Sequence, residues 1–318
     1  ARLTPFLPDE LVGEAVTKTR TIESDTLRVL ALHSLIPRLP QAALEDVLAD
    51  VCAMKGGWAR ARALKSLAPH LPEELLPKAL AAACAIGSDR RRMKAEAQPQ
   101  HDPKQIEAMH TARYEWHRVE ALMALAPRLP EELLAQALEA VRAIETEDMR
   151  ANALTELAQY LPEELLGEAL VMGRAVEEAW LQARTLAQLI KVIPQGLTEN
   201  ALTIVRTIEN EPQRAYVLGH LTPRLPEHLF DEALALTRAV EDRGQRAYAL
   251  AGLAAHLPEE LLEEALATMR TIQDAGMRDT TLTRLAPHLP EPMIGEALAI
   301  AVTSEGVPQQ SKAMVELV

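Results

Sequence analysis

Aromatic residues make up only 3% of this 318-residue chain, and cysteine occurs twice. Two cysteines in so long a chain build no disulfide framework and fit a reducing, cytoplasmic setting. Positive charge is in deficit: 33 Lys and Arg stand against 46 Asp and Glu, for a formal net charge of −13. That balance excludes the basic footprint with which a protein displaces counterions from nucleic acid. No apolar run approaches the roughly 18 residues needed to cross a bilayer, and no signal-peptide pattern opens the chain. Strings that carry catalysis are missing as well. There is no G-x-S-x-G, no H-E-x-x-H, no G-x-G-x-x-G and no phosphate-loop G-K-[ST]. The expectation is a protein that is not an enzyme, with no cofactor, metal, nucleic acid or membrane as its partner.

What the chain does have is a period. A Leu-Pro or Ile-Pro step recurs with its proline at 8, 40, 72, 130, 162, 194, 226, 258 and 290. Every spacing is 32 except one of 58, which is one repeat plus 26. Nine units of a 32-residue repeat therefore run the length of the chain, with a 26-residue insertion in the third.

In the unit that starts at Pro130, apolar residues fall at Leu133, Leu134, Ala137, Leu138, Val141 and Ile144, the three-and-four spacing of one buried helical stripe. The polar run Glu145-Thr146-Glu147-Asp148 interrupts it. A second stripe follows at Ala151, Leu154, Leu157, Ala158 and Leu161. Pro130 suits a helix start, and Glu131 and Glu132 complement the positive end of the dipole. A further proline three residues before the repeat proline, as at Pro37, Pro69, Pro127, Pro223 and Pro287, stops the second helix. Gln159, Lys191 and Ala255 lack it and predict softer joints. No sustained alternation of β-branched residues appears. The expected fold is all-α, a right-handed α-solenoid of about nine helix–turn–helix repeats in a single array over residues 1–318, with stability accumulating from repeat and interface terms.

A column of small residues, Ala15, Ala79, Ala137, Ala169, Ala201, Ala233, Ala265 and Ala297 with Val47 as the exception, predicts close approach of neighbouring first helices. Cys52 and Cys84 lie on adjacent first helices, whose axes should be about 8–10 Å apart, so they read as small apolar fillers and not as a disulfide. At the start neither end carries a polar cap, which leads us to expect a piece of a longer polypeptide.

The string Leu-Ala-Pro-His-Leu-Pro-Glu-Glu-Leu-Leu at 67–76, with close copies at 253–262 and 285–294, resembles the C-terminal helical sensor repeats of bacterial STAND-class signal-transduction ATPases. That resemblance implies a helical array that senses a ligand or partner on behalf of a switching module elsewhere in a larger protein. The unit is TPR-like and HEAT-like in size but lacks the 34-residue period and aromatic signature of tetratricopeptide repeats.

Two arginine columns recur. Arg20, Arg142, Arg174, Arg206, Arg238 and Arg270 lie near the end of the first helix, where the dipole favours them. Arg28, Arg60, Arg150, Arg214, Arg246 and Arg278 lie near the start of the second, where it does not. A cation at that end needs a specific partner, and the free carbonyls ending the first helix are the obvious one. Both columns therefore read as structural. A guanidinium ladder gripping an anionic partner is the alternative, opposed by the surrounding Glu excess. His70, His256 and His288 share a turn position with Arg38, Arg128 and Arg224 and read as polar turn residues.

The insertion is placed at 92–117. Asp102-Pro103 supplies an N-cap and first-turn pair, and from Pro103 to Ala126 the pattern predicts one helix of about 36 Å. This should project from the array edge or pack on it as an extra helix. On it His110, Tyr114 and His117 share a face, with Arg113 beside them and Trp116 close by. These five are the candidate contact residues, because Trp, Tyr and Arg dominate binding hot spots. Trp116 also has a packing explanation, since Trp58 and Trp180 fill the same repeat column. Two His seven residues apart sit about 10 Å from one another along a helix, too far to share an ion unaided. The chain is thus expected to be a recognition scaffold with a protein or peptide partner, the alternative being a structural solenoid that self-associates end to end.

Overall fold

The computed structural model describes residues 7–87, 103–272 and 274–302, and every regular element among them is helical. Odd-numbered helices are the first of each repeat: α1 Val12–Thr19, α3 Gln41–Cys52, α5 Leu76–Cys84, α7 Glu131–Arg142, α9 Glu163–Arg174, α11 Thr198–Arg206, α13 Phe230–Arg238, α15 Glu259–Met269 and α17 Glu291–Val302. Even-numbered helices are the second: α2 Asp25–Leu35, α4 Gly57–Leu67, α6 Pro103–Leu125, α8 Glu147–Leu157, α10 Ala179–Ile190, α12 Glu211–Leu221, α14 Arg243–Leu253 and α16 Ala275–Leu285. The chain divides into two compact units, Ala1–Pro162 and Glu163–Val318, at a repeat boundary. In unit 1 the second helices form a row α2–α4–α6–α8 and the first helices a row α3–α5–α7. In unit 2, α10–α12–α14–α16 form the second-helix row. Each unit is α-solenoid.

The breaks between repeats are short 3₁₀ turns such as Ile36–Arg38, Ala68–His70, Ala126–Arg128 and Thr222–Arg224. The softer joints expected at Gln159 and Ala255 are not found. Ala158–Tyr160 and Ala254–His256 make the same turn without proline, because the Leu-Pro step that follows already forces extended backbone. The repeat proline sits one position earlier than expected. Pro40, Pro130 and Pro258 are N-cap residues, and the Pro40 and Pro130 carbonyls accept the first helical bonds from Ala43 and Leu133 at 2.9 Å.

Of the small column, Ala79, Ala137, Ala169, Ala201, Ala233, Ala265 and Ala297 are fully buried with Val47, while Ala15 is half-buried. Leucines such as Leu48, Leu64, Leu67, Leu80, Leu122 and Leu125 fill the space around them. Each such side chain contributes about 1.5–3 kcal/mol on burial. Cys52 and Cys84 are free thiols, both half-buried, and loss of solvation raises both thiol pKa values.

Helix ends leave backbone groups unpaired, and three recurrent side-chain contacts satisfy them. Arg28, Arg150, Arg214, Arg246 and Arg278, near the starts of second helices, and Arg118, inside the longer α6, donate to the carbonyls of Ile22, Ile144, Ile208, Val240, Ile272 and Ile86 at 2.7–3.1 Å. Arg60 does the same to Met54. In the Pro162 repeat, Gln182 takes over, donating to Arg174 and Val176 carbonyls at 2.7 and 2.9 Å. Each charge-assisted bond to a buried carbonyl is worth about 1.5–3 kcal/mol.

The turn arginines are more than polar turn residues. Arg38 reaches the Leu7 carbonyl at 2.6 Å, Arg128 those of Pro69 and Leu71 at 2.7 and 2.9 Å, and Arg224 those of Lys191 and Ile193 at 3.1 and 2.6 Å. They tie each repeat to the one before it. In the opposite sense, a carboxylate of one second helix caps the amides opening the next, from the first turn at Asp25 (Lys55 and Gly56) and Glu211 (Glu241 and Asp242) and from the middle of the long α6 at Glu115 (Glu145 and Thr146).

The first arginine column is solvated. Arg20 pairs with Asp50 at 2.8 Å, Arg270 with Glu296 at 3.2 Å and Arg206 with Glu232, each on the following first helix. Arg142 pairs with Glu139 in its own helix, and Arg174 and Arg238 are exposed.

Candidate functional site

Of the five residues singled out in the insertion, the structure brings only some to one surface. The side chain of His110 lies outside the described residues. Arg113 is exposed, and Tyr114 is half-buried. A Cβ built on Gly57 would lie 3.0 Å from the Tyr114 ring, and one on Gly87 3.1 Å from Tyr114 Cβ. Gly87 is at φ +88°, a backbone only glycine adopts easily, and it lets the chain turn beneath that ring. His117 is buried, and neither ring nitrogen meets a hydrogen-bond partner among the described residues. Burial, and secondarily the charge of Arg113, lowers its pKa against the opposing pull of Glu120. Tyr114 and His117 thus belong to the interior of the array and do not form a contact face. Trp116 alone of the aromatic candidates points outward, at 61% exposure. Glu115 makes the amide-capping contact of Asp25 and Glu211, so the repeat register is already in force inside the 92–117 stretch.

Beside Trp116 runs a groove of about 440 Å³, lined by Val119, Glu120 and Met123 of α6, Lys65 of α4, and Met149, Asn152 and Glu156 of α8. Lys65 and Glu120 pair at 3.1 Å. Among the described residues no three His, Cys, Asp or Glu side chains gather in a metal-holding group.

Unit 2 holds a second cleft, of about 500 Å³, built by residues the sequence reading passed over. Tyr216 and Tyr248 are 32 apart and so share a repeat position on α12 and α14. Their rings stack at 6.0 Å with an interplanar angle of 4°. Trp180, in the first turn of α10, leans on Tyr216 at 5.3 Å. One turn further along α12, His220 packs on Tyr216 at 4.7 Å, and its Nδ1 lies 3.0 Å from the Tyr216 carbonyl and 3.3 Å from the Tyr248 hydroxyl. The carbonyl only accepts, so Nδ1 carries the proton there. Arg284 of α16 lays its guanidinium over the Tyr248 ring, 4.6 Å from the centroid, and donates to the Gly219 carbonyl.

Glycine makes this arrangement possible. A Cβ on Gly219 would sit 2.6 Å from the Tyr248 ring, and one on Gly252 2.0 Å from Thr222 Oγ1 and 2.9 Å from the Gly219 carbonyl. Glycine inside a helix costs about 1 kcal/mol relative to alanine. Here it lets α12 and α14 close to backbone contact, which seats Tyr248 as the floor of the cleft.

The electrostatics of the cleft differ from those of the chain. Among the described residues, Arg284 is the one formally charged side chain lining it, with Gln213, Gln245 and Thr280 as neutral polar groups. Burial pushes the Tyr248 hydroxyl up to about 12, with Arg284 opposing, so it remains protonated. Burial lowers the His220 pKa; the Tyr216 carbonyl resists, and the charges of Arg284 and Lys191 add to the shift. Gln213 Oε1 is buried without a hydrogen-bond partner among the described residues and can accept from an incoming N–H. The arrangement suits binding by stacking and hydrogen bonding. Its size lies within the range of about 300–1,000 Å³ usual for ligand clefts.

Residues that sequence reasoning missed were marked by one faint signal. In a chain this poor in aromatics, Trp180, Tyr216 and Tyr248 recur at spacings of 36 and 32, one repeat each and once with a helical turn added, with Phe230 the one other aromatic between them. No protein-family model matches this sequence, and no curated protein does.

Proposed function

We propose that the chain is a non-catalytic recognition scaffold that takes a peptide segment of a protein partner into the unit 2 cleft. The observation that carries this is the cluster of Trp180, Tyr216, Tyr248 and Arg284 around a cleft lined by no carboxylate among the described residues, in a chain of net charge −13. Trp, Tyr and Arg are the side chains that dominate binding energy when they are held rigidly. Here stacking and the Arg284 contact hold them before any ligand arrives, which lowers the entropy lost on binding. Main-chain amides of a peptide would meet Gln213 and Gln245, and its apolar side chains would meet Trp180 and Met277. The resemblance of the Leu-Pro-Glu-Glu-Leu-Leu repeat to sensor arrays supports placing this scaffold in the sensor segment of a larger bacterial signalling protein. Its two free thiols suit the cytoplasm.

The test is selection of a random peptide library on the full chain, followed by calorimetry with the enriched peptides. Tyr216→Ala and Arg284→Ala should each weaken binding at least about tenfold, near 1.4 kcal/mol, while Trp58→Ala leaves it unchanged. Enriched peptides that bind all these variants equally would remove the cleft from the reading.

A further inference from the structure

We propose that the outer face of α6 is a self-complementary docking surface on which a second copy of the chain lays its own α6, antiparallel. Met109 is the most exposed large apolar side chain among the described residues, at 74%, and Trp116 follows at 61%, level with Val171. With Met123 they recur every seven residues, two helical turns, along one side of a helix of 23 residues whose neighbours α4 and α8 have 11. Tyr114 stands against Gly57, the first residue of α4, so the turns of α6 before it run past the start of its neighbour. That leaves about 16 Å of helix beyond the row. A seven-residue apolar spacing is the pattern by which one helix packs along another.

The charges on this face choose the occupant. Its order is Met109, Arg113, Trp116, Glu120, Met123. Turned about a two-fold axis through Trp116, Met109 faces Met123 of the partner subunit and Arg113 faces Glu120 of the partner subunit, twice over by symmetry. A parallel pair would set Arg113 against Arg113 of the partner subunit and Glu120 against Glu120 of the partner subunit. Lys65 of the groove and Arg113, one turn before Trp116 on α6, together balance Glu120 and Glu156 of the groove, whereas the chain as a whole carries −13 and repels its copies. Between Met123 and Met149 the groove offers adaptable apolar walls for the Trp116 ring of the partner subunit. This contact is lateral, through the inserted helix, and does not involve the ends of the array.

Light scattering on the eluting full chain, over a concentration series, tests it. The expected result is concentration-dependent growth from 34.9 kDa to twice that mass. Arg113→Glu should weaken dimerisation at least tenfold, and Arg113→Glu combined with Glu120→Arg should restore it. In a background with Cys52→Ala and Cys84→Ala, a mixture of Met109→Cys and Met123→Cys chains should cross-link on oxidation, while neither variant alone should. Cross-linking of each variant alone would mean a parallel pair and would overturn the proposal. So would a strictly monomeric chain, a dimer indifferent to Arg113→Glu, or failure of the double variant to recover while its helical circular dichroism stays intact.

Discussion

Trp116 and Trp180 stand two repeats apart at the same position of the unit, and the clefts beside them are one lattice site filled in two ways. In unit 1 the next second helix presents Met149, Asn152 and Glu156; in unit 2 the equivalent residues, 64 further on, are Gln213, Tyr216 and His220. The backbone is common to both. Exchange of asparagine for tyrosine one repeat and one turn beyond the tryptophan converts a charged, methionine-walled groove into a stacked aromatic cluster. The comparison teaches that the scaffold supplies a cleft between successive second helices, and that three side chains per helix set its chemistry. A second difference is the floor. Gly219 and Gly252 bring α12 and α14 together inside the helices in unit 2, while in unit 1 the close glycine contacts lie at another repeat position, where Gly57 and Gly87 meet Tyr114.

The comparison breaks most sharply at the glycine floor. Gly252→Leu should destabilise unit 2 by about 3 kcal/mol through overpacking against Thr222 and Gly219, read by urea unfolding. Gly295→Ala, with open space around it, should instead stabilise by about 0.5–1 kcal/mol. Equal effects of the two would disprove the close helix approach. Next in size is the carbonyl clamp: Arg150→Ala should cost about 2 kcal/mol, because it strands the Ile144 carbonyl, and Arg174→Ala should change the unfolding midpoint hardly at all. Conversion of the unit 2 cleft to unit 1 chemistry, by Tyr216→Asn with His220→Glu, should cost selected peptides at least about tenfold in affinity without loss of helix content.

The smallest expected effect is a pH dependence. The His117 pKa is lowered in the folded chain, so the unfolded chain takes up the proton first as pH falls through about 6.5. Stability from this residue is complete above that pH and declines below it, toward the lower folded value. His117→Leu should therefore raise the urea midpoint at pH 5 more than at pH 7.5. A gain independent of pH would show that packing, and not proton uptake, accounts for it.

Much of the fold was legible because its determinants are periodic in one dimension. The Leu-Pro steps set every helix pair, and the inserted helix was expected at 103–126 and runs to Leu125. What stayed hidden depends on groups a sequence does not display. The acceptors of Arg38, Arg128 and Arg224 are backbone carbonyls one repeat away, and the donors to Asp25 and Glu115 are backbone amides. The aromatic cleft draws on four helices, so Trp180, Tyr216, His220 and Arg284 look unrelated until the repeats are laid side by side. The bet on the insertion failed in part for a simpler reason. Residues sharing a helical face can share the buried one, as Tyr114 and His117 do.

Arg118 finds the Ile86 carbonyl across 32 residues where other repeats need six, and Arg128 still reaches Pro69 and Leu71. The contacts are therefore indifferent to how much chain intervenes. Closing a flexible loop grows harder only slowly with length, by about 0.6 kcal/mol per doubling. The repeats on either side of the insertion thus keep their alignment through contacts that bypass the intervening chain.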